Sequence, residues 1–267
     1  MFLKILYPII FLYNLLKKKN KVRKSQRNYL KKKNKINLIK KYIQVDSIGI
    51  NKIFFYSSNN LFSELCEKYG TDKGFLDFKK KTPYGWKAHT YNTVYNSLFD
   101  HCRKNLNLVF ECGIGSNFSD VESNMSPNGK PGASLRVWRD YFPSAMIYGA
   151  DIDKRILFSE ERIKTYQVDQ TNSESIKKMW EKINQNNFDL IIDDGLHNLN
   201  ASTMFFFNSF DKLKSGGIYI IEDVDFSYMN ELKNKLNNYR IEVICLNNEY
   251  YKEKLITNNN LIIIRKK

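Results

Sequence analysis

Cysteine is scarce in this chain, and its four cysteines lie far apart. None of them forms a C-x-x-C pair; they are Cys66, Cys102, Cys112 and Cys245. A disulfide framework or a structural zinc site is therefore not expected, and reduced, mostly buried thiols in a cytosolic protein are. The chain also has no internal repeat, which argues against solenoid and propeller architectures.

Acidic residues are almost absent from the first 52 positions. This stretch contains fifteen Lys and Arg residues but one acid, Asp46, and so carries +14 of the chain's net charge of +15. The remaining residues are therefore close to neutral. That distribution argues against a nucleic-acid groove in the folded part of the protein.

Long uninterrupted apolar runs are lacking as well. Residues 1–16 are apolar apart from Lys4 and Asn14, and they contain Pro8. As a helix they would span roughly 24 Å, less than the ~30 Å hydrocarbon core of a bilayer. Their charges follow the apolar run and no small-residue cleavage site is clear, which disfavours a signal peptide.

We interpret residues 1–41 as an anchor that lies on an anionic membrane surface, held by the polybasic stretch Lys17–Lys41. A single membrane span and an RNA-binding or merely solvated tail are the alternatives. In each case the folded part is expected in the cytoplasm, and the anchor would make it peripheral on the inner face of the membrane.

From about residue 105, short apolar runs alternate with amphipathic stretches, which predicts an α/β fold with a mostly parallel sheet and helices on both faces. Seven runs predict seven strands: Leu108–Cys112, Met146–Asp151, Ile163–Asp169, Phe188–Asp193, Gly217–Glu222, Ile241–Leu246 and Leu261–Arg265. The helices predicted between them are Ser134–Tyr141, Ser173–Asn184, Ala201–Leu213 and Tyr228–Asn238. The last two strands are expected to pair antiparallel at the sheet edge.

The chain is expected to have three parts. Residues 1–55 form the basic arm, residues 56–105 a mainly helical lid segment with a loop at Thr71–His89, and residues 106–267 the doubly wound domain.

Acidic residues follow five of the predicted strands. They are Glu111, Asp151, Asp169, the pair Asp193 and Asp194, and the pair Glu222 and Asp223. Ligands of doubly wound sheets bind at these carboxyl ends, near the point where the strand order reverses. Gly113 and Gly115 would let the backbone approach a ligand, although E-x-G-x-G is equally typical of a tight strand-to-helix turn.

These residues favour a cofactor without phosphates. Asp151 is placed to bind a ribose diol. The loop from Ser116 to Gly132 is too long and polar for a turn that grips a pyrophosphate. S-adenosylmethionine fits better than NAD, and Arg136 is a candidate charge partner for its carboxylate.

A second group indicates a metal site. Asp194, Glu222 and Asp223 would repel one another unless a cation or protons neutralised them. Magnesium suits carboxylates and water. His197, three residues after Asp194, would be able to accept a hydroxyl proton at neutral pH; a structural, hydrogen-bonded histidine is the alternative.

The lid segment contributes further candidates. Thr71, Asp72 and Lys73 are expected to help close the site, whereas the aromatic residues are interpreted mainly as core packing: Trp86, Tyr91 and Tyr95.

At these residues the sequence resembles the macrocin O-methyltransferase family of metal-dependent sugar methyltransferases. The matching stretches run from about Leu61 to Val224, and they are GTDKG (70–74), HTYNTVY (89–95), VFECGIG (109–115), GASLRVWRDYFP (132–143), IYGADI (147–152), VDQ (168–170), FDLIIDDGLH (188–197) and GGIYIIEDV (216–224). The resemblance implies a Rossmann-like methyltransferase fold.

The resemblance also implies roles for individual residues. Asp194, Glu222 and Asp223 would bind magnesium, and His197 would be the base. The cofactor site would be lined by Glu111, Gly113, Asp151, Asp169 and Asp193. The chain departs from the family at Leu196, where serine is usual, and in its longer Ser116–Gly132 loop.

These observations together predict an S-adenosylmethionine-dependent O-methyltransferase that acts on a sugar or another hydroxyl-bearing metabolite, for example in surface-polysaccharide biosynthesis. The alternatives are an RNA methyltransferase that uses the basic arm, and a non-catalytic scaffold on the same fold.

Overall fold

The computed structural model describes residues 50–51, 60–74, 83–86, 88–245 and 258–267. The proposed membrane anchor at residues 1–41 lies outside the described residues. In the part that is described, no helix is both long enough and apolar enough to cross a membrane.

A nine-stranded sheet forms the centre of the described structure, with the strand order β1-β8-β9-β7-β6-β2-β3-β5-β4. The strands are β1 (Ile50–Asn51), β2 (Leu108–Cys112), β3 (Met146–Asp151), β4 (Ser159–Glu160), β5 (Ile163–Gln167), β6 (Phe188–Asp193), β7 (Leu213–Ile221), β8 (Ile241–Cys245) and β9 (Asn260–Arg265). All seven predicted strands are present. The two additional strands, β1 and β4, contain two residues each.

The sheet is parallel from β7 through β6, β2 and β3 to β5. β9 is antiparallel to both β7 and β8, so the predicted antiparallel pair exists. β8 is not the edge strand, however, because β1 pairs with it in parallel.

Six α-helices accompany the sheet in the described ranges. They are α1 (Leu61–Tyr69), α2 (Tyr91–Phe99), α3 (Ala133–Tyr141), α4 (Ser173–Ile183), α5 (Leu199–Phe207) and α6 (Phe226–Lys235). Asparagine side chains cap three of them, since Asn60, Asn172 and Asn198 each accept a hydrogen bond from a backbone N–H in the first turn.

Alternate strand residues face two separate cores. Val109 and Leu190 belong to the core that contains Phe62 of α1 and Trp138 of α3. Phe110, Ile191 and their neighbours pack on the other face, against α4, α5 and α6. The sheet is therefore covered by helices on both faces, which explains why its middle strands are apolar without alternation.

The pairing register brings the strand ends to one level. Cys112 at the end of β2 is opposite Ala150 of β3 and Asp193 of β6, and Asp193 is opposite Ile221 of β7. The chain order reverses at β2, whose neighbours are β3 on one side and β6 on the other. The segments that follow β2, β6 and β7 therefore leave the sheet side by side, where ligands bind in such folds.

Candidate functional site

A buried lysine lies at the centre of the acidic strand ends. The Lys73 ammonium is 2.6 Å from Asp194 Oδ2 and 3.1 Å from Glu111 Oε1, and it also contacts Glu222 Oε2. Lys73 belongs to the loop after α1. The helix ends at Tyr69, and the next residue, Gly70, caps it in the left-handed conformation (φ +79°). The lid segment thus places a positive charge among three carboxylates from β2, β6 and β7.

Lys73 is only 1% exposed, so its charge depends on these partners. Burial alone would lower the pKa of the ammonium, but the charges of Asp194 and Glu222 outweigh burial and raise that pKa well above its usual value. Lys73 is therefore cationic at neutral pH.

Two tyrosines of the motif HTYNTVY donate hydrogen bonds to the two acidic residues that follow β7. Tyr91 Oη donates to Asp223 Oδ1, and Tyr95 Oη donates to Glu222 Oε1. These tyrosines are one helical turn apart on α2 and so face the same direction. Burial is the main cause that raises the pKa of both phenols, which stay neutral and act as donors.

His89 adds a second imidazole to the site. Its Nε2 is 3.3 Å from Asp223 Oδ1, and its ring stacks on Tyr91 with centroids 4.7 Å apart. The Nδ1 of His89 is 3.2 Å from Asn259 Oδ1, which comes from the segment before β9. Asp223 is thus held from two directions.

Asp194, His197 and Asp223 offer ligand atoms that all lie within 4.8 Å of one another. His197 Nε2 is 3.2 Å from Asp194 Oδ1, and its Nδ1 is 3.8 Å from Asp223 Oδ2. Mg²⁺ prefers oxygen ligands, so the carboxylates of Asp194 and Asp223 suit it, and the imidazole of His197 lies beside them. The two carboxylates therefore fit the predicted metal.

The same two carboxylates control the protonation of His197. Burial lowers its pKa, but the hydrogen bond to Asp194 and the charge of Asp223 outweigh that effect and raise the pKa to about 10. The imidazole is therefore protonated at neutral pH unless the charge of these carboxylates is offset.

Glu222, the third predicted metal ligand, has other partners. One of its carboxylate oxygens contacts Lys73 and the other accepts from Tyr95, so it does not share the cluster of Asp194, His197 and Asp223. The structure therefore brings Glu222 close to Asp194, His197 and Asp223, but these three form one group and Glu222 contacts Lys73 and Tyr95 instead.

The predicted cofactor residues Asp151 and Asp193 lie at the ends of β3 and β6. Asp151 accepts hydrogen bonds from the backbone N–H groups of Ile114 (2.9 Å) and Asp153 (3.0 Å). Asp193 accepts from Gln170 Nε2 at 2.5 Å, and burial raises its pKa to about 6. Both carboxylates thus shape the loops around the predicted cofactor site.

Glu111 and Asp169 have different surroundings. Glu111 is fully buried and accepts from Ser134 Oγ at 2.5 Å, beside Lys73. Asp169 is partly exposed and accepts from the backbone N–H of Thr171 at 2.9 Å. Of these two residues, Glu111 is the one that contacts Lys73.

Arg136 has a partner other than the one predicted. Its guanidinium pairs with Glu160 of β4 at 2.6 Å, donates to the carbonyl of Pro131 and lies over the ring of Phe158. These contacts hold the side chain along α3, and its predicted pairing with the cofactor carboxylate stays a prediction.

The two glycines after β2 both have positive φ and lie close to other parts of the chain. A Cβ on Gly113 (φ +85°) would lie 2.0 Å from the backbone oxygen of Asp194, and one on Gly115 (φ +82°) would lie 2.2 Å from the sulfur of Met125. Gly113 therefore lets the loops after β2 and β6 approach each other, which sets the position of Asp194.

Replacement of Gly113 by alanine is expected to destabilise the fold by about 2–5 kcal/mol, because left-handed strain and a backbone clash add up. Urea unfolding measures the effect. Gly216→Ala is the matched control: it also has positive φ (+74°), but a Cβ there meets nothing within 4 Å. An equal loss in the two variants would contradict the proposed close approach.

The importance of Lys73, His89 and Tyr91 was underestimated from the sequence. The sequence predicts that Lys73 helps to close the site and that Tyr91 mainly packs in the core, and it does not predict the contacts of His89. The signal that points to them is the pair of motifs GTDKG and HTYNTVY.

The order of the strands and the helices on both faces of the sheet are those of a Rossmann-like methyltransferase fold. Among solved structures, the chain is similar to MycE methyltransferase of the mycinamycin biosynthetic pathway in complex with Mg, SAH and mycinamycin VI. That similarity has a TM-score of 0.55 at 24% identity and covers 79% of this chain and 55% of that one. The likeness confirms the predicted fold class.

Curated relatives confirm the resemblance to sugar O-methyltransferases. The chain is 32% identical over 165 residues to 8-demethyl-8-alpha-L-rhamnosyl tetracenomycin-C 2'-O-methyltransferase of Streptomyces olivaceus, covering 61% of this chain and 38% of the relative. It is 33% identical over 168 residues to mycinamicin VI 2''-O-methyltransferase of Micromonospora griseorubida (62% and 36%). It is 29% identical over 163 residues to demethylmacrocin O-methyltransferase of Streptomyces fradiae (61% and 39%).

The chain thus spans less than half the length of these relatives. No protein-family model matches it.

Proposed function

We propose that this protein transfers the methyl group of S-adenosylmethionine to a hydroxyl group of a sugar-type acceptor, assisted by a divalent cation such as Mg²⁺. The observation that carries the proposal is the cluster of Asp194, His197 and Asp223 beside the end of β2. The curated relatives support the same reaction class, since their names describe O-methyltransferases and one of these names specifies a rhamnosyl compound.

Asp194 and Asp223 would hold the cation, and Glu222 would complete the set if its carboxylate turned from Lys73. When bound, such a cation lowers the pKa of an acceptor hydroxyl and fixes its position. Tyr91 and His89 orient Asp223 for this role, because both contact its Oδ1 atom.

His197 is the proposed base. Its Nε2 and Nδ1 lie between Asp194 and Asp223, so the imidazole is close to the position where an acceptor hydroxyl would bind. The charges of Asp194 and Asp223 raise the pKa of His197, and a cation held by these carboxylates would lower that pKa again and so favour the neutral imidazole that a base requires.

The methyl donor is proposed to bind across the ends of β2, β3 and β6. Residues proposed to line its site are Glu111, Gly113, Gly115, Asp151, Asp169 and Asp193. S-adenosylmethionine supplies the electrophilic methyl group. The protein would contribute proximity, because a hydroxyl held about 3 Å from the methyl carbon reacts as if at very high concentration.

A thermal-shift titration tests the proposal. S-adenosylmethionine is expected to raise the melting temperature, and Mg²⁺ to raise it further, because each binds only the folded state. A screen of nucleotide-linked sugars would then identify the acceptor. Donor binding without methylation of any acceptor would favour the non-catalytic scaffold, and no shift with donor would contradict the proposed function.

The basic arm is proposed to hold the protein at an anionic membrane surface, where surface polysaccharides are assembled. Its composition supports this role, since each basic residue near such a surface adds about 1 kcal/mol. We therefore expect the protein to be cytoplasmic and peripheral on the inner face of the membrane.

Deletion of residues 1–41, which leaves β1 (Ile50–Asn51) in the chain, is expected to abolish binding to phosphatidylserine liposomes in low salt, with no loss of turnover on a soluble acceptor. Liposome co-sedimentation and a methylation assay measure the two effects. Retained liposome binding would contradict the membrane role. Steeply salt-dependent RNA binding that is lost with the deletion would instead favour the RNA methyltransferase alternative.

A further inference from the structure

Lys73 occupies the acidic strand ends as a cation of the protein's own. Its ammonium contacts one carboxylate from each of three strand ends, those of Glu111, Asp194 and Glu222. Two of these residues, Asp194 and Glu222, are also proposed to bind the divalent cation. The ammonium of Lys73 and the proposed metal ion would therefore share two carboxylate partners.

The contacts of Glu222 show the overlap in detail. Its Oε2 contacts Lys73 and its Oε1 accepts from Tyr95, so both oxygens are engaged in the described structure. The two carboxylate oxygens of Asp194 have different partners, since Oδ2 contacts Lys73 and Oδ1 contacts His197. Glu111 brings a third carboxylate to the ammonium but lies outside the cluster of three ligand residues.

We propose that Lys73 is an internal counter-ion that competes with the divalent cation for Asp194 and Glu222 and so weakens metal binding. This inference rests on the proposed metal site and adds a control of its affinity. A buried carboxylate group without a cation is unfavourable. Lys73 would therefore hold the site together before the metal binds and would give up part of its contacts when the metal arrives.

A competing charge has a consequence that a purely structural lysine lacks. Removal of the ammonium leaves three carboxylates near the metal position with one positive charge fewer. A divalent cation should then bind more tightly, by about tenfold or more, since unit charges a few ångströms apart interact strongly at a partly buried site. The metal-free protein should at the same time become less stable.

The test is Mn²⁺ binding by the full-length protein, measured by electron paramagnetic resonance of free Mn²⁺. Lys73→Met is expected to bind Mn²⁺ about tenfold or more tightly than the parent and to show a larger rise in melting temperature when Mn²⁺ is added. Lys73→Arg, which keeps the charge, is expected to bind no more tightly than the parent.

Lys68→Met is the matched control, because it removes the same charge from an exposed pair with Asp140 at the end of α1. Its Mn²⁺ affinity should equal that of the parent. If Lys73→Met does not fold without metal, Lys73→Gln, whose amide can still donate to a carboxylate, carries the same expectation.

The experiment distinguishes failure of the proposed competition by Lys73 from failure of the proposed metal site. Equal or weaker Mn²⁺ binding after neutralisation of Lys73 would overturn the competition while leaving the metal site in place. Absence of Mn²⁺ binding in the parent and the variant alike would overturn the metal site, and the competition with it.

Discussion

Asp194→Ala is expected to reduce cation-dependent methyl transfer by about 10³-fold, because it removes a carboxylate that the proposed metal site shares with His197 and Lys73. Mn²⁺ binding should be lost in the same variant. The loss in rate should not be recovered at high Mg²⁺ concentration, since the missing ligand is part of the binding site.

The rate is measured by transfer of labelled methyl from S-adenosylmethionine to an acceptor found in the nucleotide-sugar screen. Asp211→Ala serves as the control, because Asp211 is an exposed acid in the turn before β7. Undiminished activity of Asp194→Ala, or full activity of the parent in excess chelator, would remove the metal from the mechanism.

His197→Ala is expected to lower turnover by about 10²–10⁴-fold, the usual contribution of a positioned acid or base. Binding of S-adenosylmethionine should survive, because the side chain of His197 contacts Asp194 and Asp223 and not the proposed donor residues at β2 and β3. Loss of rate with donor binding retained would separate a catalytic role from a structural one.

The chain offers a matched control for this variant. His101 is an exposed histidine in the turn after α2, so His101→Ala should keep both activities. Calorimetric titration with S-adenosylmethionine measures donor binding, and initial rates measure turnover. Full turnover by His197→Ala would end its assignment as the base.

The fold could be predicted because each strand carries its own signal. Phe188–Asp193 is buried along its whole length and is apolar except for Asp189 and Asp193, as expected for a strand covered on both faces. All seven predicted strands are present. β1 and β4 contain two residues each, too few for a periodic pattern to indicate them. The place of β9 between β7 and β8 depends on tertiary pairing, which local patterns do not encode.

The site could be predicted only as far as strand topology reaches. Parallel strands end at one edge of a sheet, so the convergence of Asp194, Glu222 and Asp223 follows from their positions after β6 and β7. The partners from the lid segment did not follow, because the contacts of Lys73 and Tyr95 span 149 and 127 residues to Glu222. The sequence therefore indicated the negative charges but not the cation and phenols that hold them.

Gly113 shows a similar limit. A glycine after β2 is predicted either to let a ligand approach or to form a tight turn, and the structure adds a close approach to the backbone of Asp194, with which a Cβ would clash. The pattern E-x-G-x-G gives no sign of this contact between two loops, and the ligand role of Gly113 stays a prediction.

A crystal structure with Mn²⁺ and S-adenosylhomocysteine tests the central claim most directly. We expect an anomalous peak at coordination distance from carboxylate oxygens of Asp194 and Asp223, with the nucleoside lying across the ends of β2 and β3 beside Gly113. A map without a peak between these two carboxylates, or a nucleoside bound elsewhere on the sheet, would contradict the account.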